Sequence, residues 1–134
     1  MSRTRIIAAA GLAAAALSAA AVFAAPASAA AKPTALVLTI AQGDATAAVD
    51  RTSTLYCNPT GGTHPVAVDA CAALTVVRGE LRMLDADPSV MCPMIYQPVT
   101  VTASGFVNGK RFNYQRTHGN ACTLGAETGS LFQF

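Results

Sequence analysis

Eight consecutive residues, Met91, Cys92, Pro93, Met94, Ile95, Tyr96, Gln97 and Pro98, concentrate the side chains with something to do outside a core. Each proline fixes its own φ at about −65°. Each also displaces the residue before it, here Cys92 and Gln97, from the helical region toward extended geometry. β-branched Ile95 favours the same extended backbone. The result is a stiff, extended peptide with a cysteine anchor and large apolar side chains at its centre. That is the form in which a serine protease accepts a substrate. Such a segment would bind a protease well and be turned over badly. Either Met91 or Met94 alone would read as a core filler. Between Cys92-Pro93 and Ile95-Tyr96, Met94 sits instead at the middle of such a substrate-like segment, with Ile95 after it. Met91, Cys92 and Pro93 would then lie along the enzyme's groove, and Tyr96 and Gln97 on the leaving side.

The other candidates for chemistry are weaker. The only histidines are His64 and His118. His64 precedes Pro65 where a helix is expected to start, which suits a capping or packing role, and His118 lies close to Asn120, which suits a surface or loop-support role. The chain has no serine-centred nucleophile elbow, paired-carboxylate site or phosphate loop, so it does not read as an enzyme. No C-x-x-C occurs and the two histidines form no ligand cluster, so neither zinc nor another cofactor is implied.

These residues must be positioned by a small fold. Arg3 and Arg5, an Ala- and Leu-rich stretch over residues 6–23 and the small residues Ala27, Ser28 and Ala29 have the pattern of a secretory leader. Residues 1–29 are therefore expected to be a signal peptide rather than a membrane span, and residues 30–134 one secreted, extracellular domain. The whole chain carries 9 Lys+Arg against 7 Asp+Glu, and Arg3 and Arg5 account for the difference. The remainder is balanced, with no basic block suited to nucleic acid. Four cysteines, all after the leader, read as two disulfides in an exported chain, and three pairings are open.

Residues 34–40 alternate as a strand with Leu36, Leu38 and Ile40 on one face, and Gln42, Gly43 and Asp44 supply a turn. A second strand is expected over 50–57. A helix should begin near Pro65, its stripe formed by Val66, Ala70, Leu74 and Val77, and stop near Gly79. Two more strands, 99–103 and 110–116, should be joined at Asn108-Gly109. Residues 131–134 look like a last strand, and a short second helix is expected near Thr123. The fold class is therefore α+β: an antiparallel sheet of about five strands, one main helix and a short second helix, with two disulfides.

The ordered set of motifs resembles the Streptomyces subtilisin inhibitor family. The set begins with Cys57, then Gly62-Thr63-His64-Pro65 and Ala70-Cys71, and continues through the segment from Val90 to Tyr96. It goes on with Asn108-Gly109-Lys110-Arg111, Tyr114-Gln115-Arg116 and Asn120-Ala121-Cys122, and ends with Ser130-Leu131-Phe132-Gln133-Phe134. The resemblance implies the pairings Cys57 with Cys71 and Cys92 with Cys122, and a supporting bond from Asn120 beneath the loop. It implies inhibition of subtilisin-like serine proteases at Met94-Ile95 and a homodimer through sheet-to-sheet contact, and it allows trypsin-like or metal-dependent proteases as further targets. One departure falls at Val107, where some relatives carry Trp. The competing reading is a secreted structural or adhesive module without inhibitory activity, which would require residues 91–98 to be buried.

Overall fold

Alternation along β1 (Thr34–Gln42) sets the architecture: Leu36, Leu38 and Ile40 are buried, while Val37 between them is exposed. The computed structural model of the protein describes Ala25 and residues 29–134, so the expected leader lies outside the described residues except for Ala25 and Ala29. β1 is the centre of a five-stranded sheet with β2 (Arg51–Cys57), β3 (Gly61–Gly62), β4 (Val99–Val107) and β5 (Lys110–His118), in the order β3-β2-β1-β4-β5. Every pairing is antiparallel, and one row across the sheet runs Ser53, Leu38, Ala103 and Tyr114. All four side chains are buried, so this row lies on the core face. The opposite face carries Tyr56, Ala35, Phe106 and Arg111 in one row, with Tyr56 and Phe106 exposed.

α1 (Ala67–Val76) packs on the core face against β2. Ala70 and Leu74 of the expected stripe are buried; Val77 is buried just past the helix end, where Gly79 N–H bonds the Leu74 carbonyl at 2.8 Å. His64 organises the start of the helix. Its Nδ1 accepts the Val66 N–H at 3.2 Å, and its Nε2 lies 3.0 Å from the Leu131 carbonyl, to which it donates. The Cys57–Cys71 disulfide ties the end of β2 to α1. The sheet and both helices match the expected α+β class, and no described helix is long and apolar enough to cross a membrane.

Two expectations about strands need correction. Residues 131–134 are not a strand. Gly129–Phe132 is a 3₁₀ turn that buries the adjacent Leu131 and Phe132 together. The turn caps the core against α1. The fifth strand is instead the short β3, stitched to β2 through Thr63 and Thr54. β4 also runs past Ala103 to Val107, through Ser104-Gly105. At Gly105, with φ +141°, a Cβ would clash with the Ala35 carbonyl, so only glycine lets β1 approach here. Beyond it, Asn108 and Gly109, with φ of 50° and 77°, form the two-residue hairpin turn into β5.

Candidate functional site

Between α1 and β4 the chain leaves the core and does not return until Val99. Leu81 of a 3₁₀ turn (Leu81–Met83) is the last deeply buried side chain before the excursion. Asp87 then starts a tight turn. Its carboxylate accepts the Ser89 hydroxyl at 2.6 Å and the Ser89 N–H at 2.9 Å, and its carbonyl accepts the Val90 N–H at 3.1 Å. The hydroxyl, and then the backbone N–H, hold the Asp87 carboxyl below its ordinary range.

Residues 91–98 have no regular secondary structure and project into solvent. Met94 is 104% exposed and Met91 93%, with Ile95 and Tyr96 also exposed. Large apolar side chains left in water carry a cost of about 1.5–3 kcal/mol each relative to burial. Four of them in six residues are therefore not explained by folding. A partner surface would explain them.

The backbone of this segment is nonetheless tied down. Cys92 is bridged to Cys122. The Asn120 amide donates through Nδ2 to the carbonyls of Pro93 at 3.0 Å and Ile95 at 2.9 Å, so the residues on both sides of Met94 are held from beneath. The same amide uses Oδ1 to accept the Thr123 N–H at 2.9 Å, which makes Asn120 the N-cap of α2 (Ala121–Thr128). The Thr123 hydroxyl adds a second contact to that oxygen at 3.1 Å. Gln97 N–H bonds the Gly119 carbonyl at 2.9 Å, Asp87 N–H bonds the Ala126 carbonyl at 2.8 Å, and Gly43 N–H bonds the Pro98 carbonyl at 2.7 Å. The loop is exposed in its side chains and fastened in its backbone.

The structure thus gathers Met91, Cys92, Pro93, Met94, Ile95, Tyr96 and Gln97 into one projecting segment, with Asn120 and Cys122 below it. His118 is not on the surface: its side chain is 1% exposed, at the end of β5, and its Nδ1 lies 2.9 Å from Glu127 Oε2 on α2. Arg116 Nη2 approaches the same oxygen at 3.0 Å. Burial pushes the imidazole below its ordinary value; the Glu127 carboxylate opposes this shift and the Arg116 guanidinium adds to it. Sequence reasoning missed Glu127, Gly119 and Ala126. Two of these act through main-chain carbonyls, which leave no trace in residue type, and Glu127 meets β5 by an approach that no periodicity encodes.

Both histidines are buried, so neither has the access of a catalytic base, and among the described residues no three His, Cys, Asp or Glu side chains converge to hold a metal. A cleft of about 300 Å³ lined by Thr34, Cys57, Cys71, Leu74, Arg78 and Val107 among others includes no residue of the projecting loop. The loop itself projects into solvent, apart from this cleft.

Comparison with known proteins points to one family. Residues 32–120 match the family described as subtilisin inhibitor-like. Subtilisin inhibitor-like protein 4 of Streptomyces lavendulae is 52% identical over 105 residues, covering 76% of this chain and 90% of that one. The subtilisin inhibitor of Streptomyces albogriseolus is 47% identical over 110 residues, covering 80% and 76%. Among solved structures, Streptomyces caespitosus sermetstatin in complex with Bacillus licheniformis subtilisin matches with a TM-score of 0.66 and 41% identity, covering 76% of this chain and 99% of that one. The chain belongs to the subtilisin inhibitor-like family.

Proposed function

We propose that this protein is a secreted inhibitor of subtilisin-like serine proteases that binds as a substrate does, with Met94 before the reactive bond and Ile95 after it. The observation that carries this reading is a fully exposed Met94 on a backbone clamped at Pro93 and Ile95 by one buried amide. An ordinary peptide loses conformational entropy when a protease orders it, whereas this loop has lost it on folding. Contacts of standard size can then bind very tightly. The flexible, unbranched Met94 side chain suits a deep apolar specificity pocket, and Met91, Cys92 and Pro93 supply backbone for strand-like pairing.

The same anchors account for slow turnover. After cleavage of Met94-Ile95, the upstream end stays attached through Cys92–Cys122 and the Pro93 carbonyl. The downstream end stays through the Ile95 carbonyl and Gln97 N–H. Religation then competes with release. The alternative, an adhesive module without inhibitory activity, requires these residues to be buried, and they are not.

Three finer features complete the proposal. Residues 1–29 act as a removable leader and residues 30–134 as the exported domain. The open sheet face bearing Val37, Tyr56 and Phe106 pairs with a second copy. Trypsin-like and metal-dependent proteases are further candidate targets at the same loop, without metal or cofactor on the inhibitor. Titrating subtilisin with the purified protein tests the core of the reading, with complete loss of activity at one inhibitor domain per enzyme expected. Brief acidic incubation followed by N-terminal sequencing should give a new terminus at Ile95. Rapid digestion, or no effect on the enzyme, would overturn it.

A further inference from the structure

Four fastenings of the loop converge on residues 119–126. The Gly119 carbonyl holds Gln97, the Asn120 amide holds Pro93 and Ile95, Cys122 is bridged to Cys92, and the Ala126 carbonyl holds Asp87. The placement of the loop therefore depends in large part on the placement of α2, with Gly43 N–H to the Pro98 carbonyl as a separate tie to the turn after β1. α2 is short and fully buries only Leu124 and Thr128. Its polar contact with the sheet is Glu127, whose Oε2 lies 3.0 Å from Arg116 Nη2 and 2.9 Å from His118 Nδ1, both on β5.

We propose that Glu127 is a positioning residue for inhibition: seated between Arg116 and His118, it docks α2 and with it the loop's fastenings, and proton uptake by His118 loosens that docking. This rests on the protease-binding reading of the loop. The cluster is Coulombic in character, because at these distances neither donor is aligned with Oε2 for a hydrogen bond. A neutral imidazole with its proton on Nδ1 faces the carboxylate favourably. A second proton must go to Nε2, which is buried and has no hydrogen-bond partner among the described residues. It would place a charge and an unmet donor where the side chain is 1% exposed. The charged groups facing His118 are Glu127 from α2, which favours the proton, and Arg116 from its own strand, which opposes it. Burial decides the balance and lowers the proton affinity of the folded state. The unfolded chain takes this proton at about pH 6.5. The stabilisation of the docked state is thus fully present above that value and declines as pH falls toward the lower, folded one.

The test compares the parent with Glu127→Gln, which removes the charge at nearly constant shape, and His118→Phe, which fills the ring's space without titrating. The quantity measured is the rate at which subtilisin-bound inhibitor is cut and released. At about pH 8 the Glu127→Gln protein should be cut about threefold faster than the parent. Between about pH 8 and pH 5 the parent's rate should rise about three- to tenfold relative to His118→Phe, a ratio that cancels the protease's own pH response. A Glu127→Gln protein that behaves as the parent, or a parent to His118→Phe ratio that stays flat, would overturn the proposal. If the parent itself fails to inhibit at about pH 8, the protease reading has failed and this proposal falls with it. A measurement on the parent alone guards against variants that do not fold. On acidification, exchange protection of the Asp87 and Gln97 amides should fall while that of Leu38 in β1 holds. Equal loss at all three would count against α2 docking as the cause.

Discussion

The two disulfides of this protein have nearly the same geometry and different surroundings. Cys57–Cys71 spans 14 positions and joins a buried strand end to α1, next to Leu74 and Ala70 in the core. Cys92–Cys122 spans 30 positions and joins α2 to a segment whose Met91 and Met94 pack on nothing. On loop-closure entropy the first should contribute about 3 kcal/mol and the second about 3.6 kcal/mol, too close to distinguish their roles. Their neighbours distinguish them. Around the first bridge, buried apolar contacts would hold the chain in place without the sulfurs. Around the second, order depends on the bridge and a few hydrogen bonds, because no side chain of residues 91–97 is buried. Burial orders one region; covalent and polar fastening orders the other.

The largest effect that could break this contrast comes from removing each bridge as a pair. Cys92→Ala with Cys122→Ala should turn the inhibitor into a substrate, cut at Met94-Ile95 about a hundredfold faster or more, with the sheet and α1 still folded. Cys57→Ala with Cys71→Ala should lower unfolding free energy by about 3 kcal/mol and leave inhibition within about threefold at temperatures where the protein stays folded. Denaturant titrations alongside inhibition assays separate the two, and parallel losses of stability and inhibition in both proteins would dissolve the distinction. Next in size is Asn120→Ala. Two hydrogen bonds at about 1 kcal/mol each correspond to roughly thirtyfold faster cutting of the bound inhibitor. Loss of the N-cap should cost about 1 kcal/mol of stability, without loss of fold. Unchanged cutting would remove Asn120 from its supporting place.

Met94→Lys sharpens the same contrast from the side-chain end. Because the Met94 side chain is entirely in solvent, stability should stay within about 0.5 kcal/mol of the parent. Truncating fully buried Leu36 to alanine should instead cost about 2–5 kcal/mol. Subtilisin binding should weaken by only about tenfold. Inhibition of trypsin should appear, because a cation would enter an acidic pocket. An unaltered profile against both enzymes would take Met94 out of the central position.

How much of this was legible depended on whether each constraint was local. Alternation in β1, the Asn108-Gly109 turn and the helical stripe through Ala70 and Leu74 are short-range patterns, and each appears where the sequence puts it. The expected end of β4 at Ala103 falls short because what carries the strand on through Gly105 and Phe106 is pairing with Leu36 and Ala35, some seventy positions away along the chain. Leu131 and Phe132 were misread because two adjacent buried residues fit a strand only when both of its faces are covered, and here they turn across α1 instead. The loop was conspicuous through its prolines and the large apolar residues set beside a cysteine between them. Its fastenings were not. Asn120 entered through family resemblance rather than spacing, and Gly119, Ala126 and Glu127 had no signature at all.

The smallest expected effect asks how far the polar fastening extends behind Asn120. A carboxamide can bind the loop only with its nitrogen toward the carbonyls of Pro93 and Ile95; turned over, it would set oxygen against oxygen. The orientation is enforced from the far side, where Oδ1 accepts both the backbone N–H and the hydroxyl of Thr123. The N–H can only donate, so it opposes the turned-over amide whatever the side chain. The hydroxyl can serve either orientation and adds affinity without deciding direction. Thr123→Val, which deletes only the hydroxyl, should therefore speed cutting of the bound inhibitor about two- to fivefold, less than Asn120→Ala, and Thr123→Ser should restore the parent rate. A Val variant as fast as Asn120→Ala would mean that the hydroxyl alone directs the amide, and an unaffected one that the backbone N–H suffices.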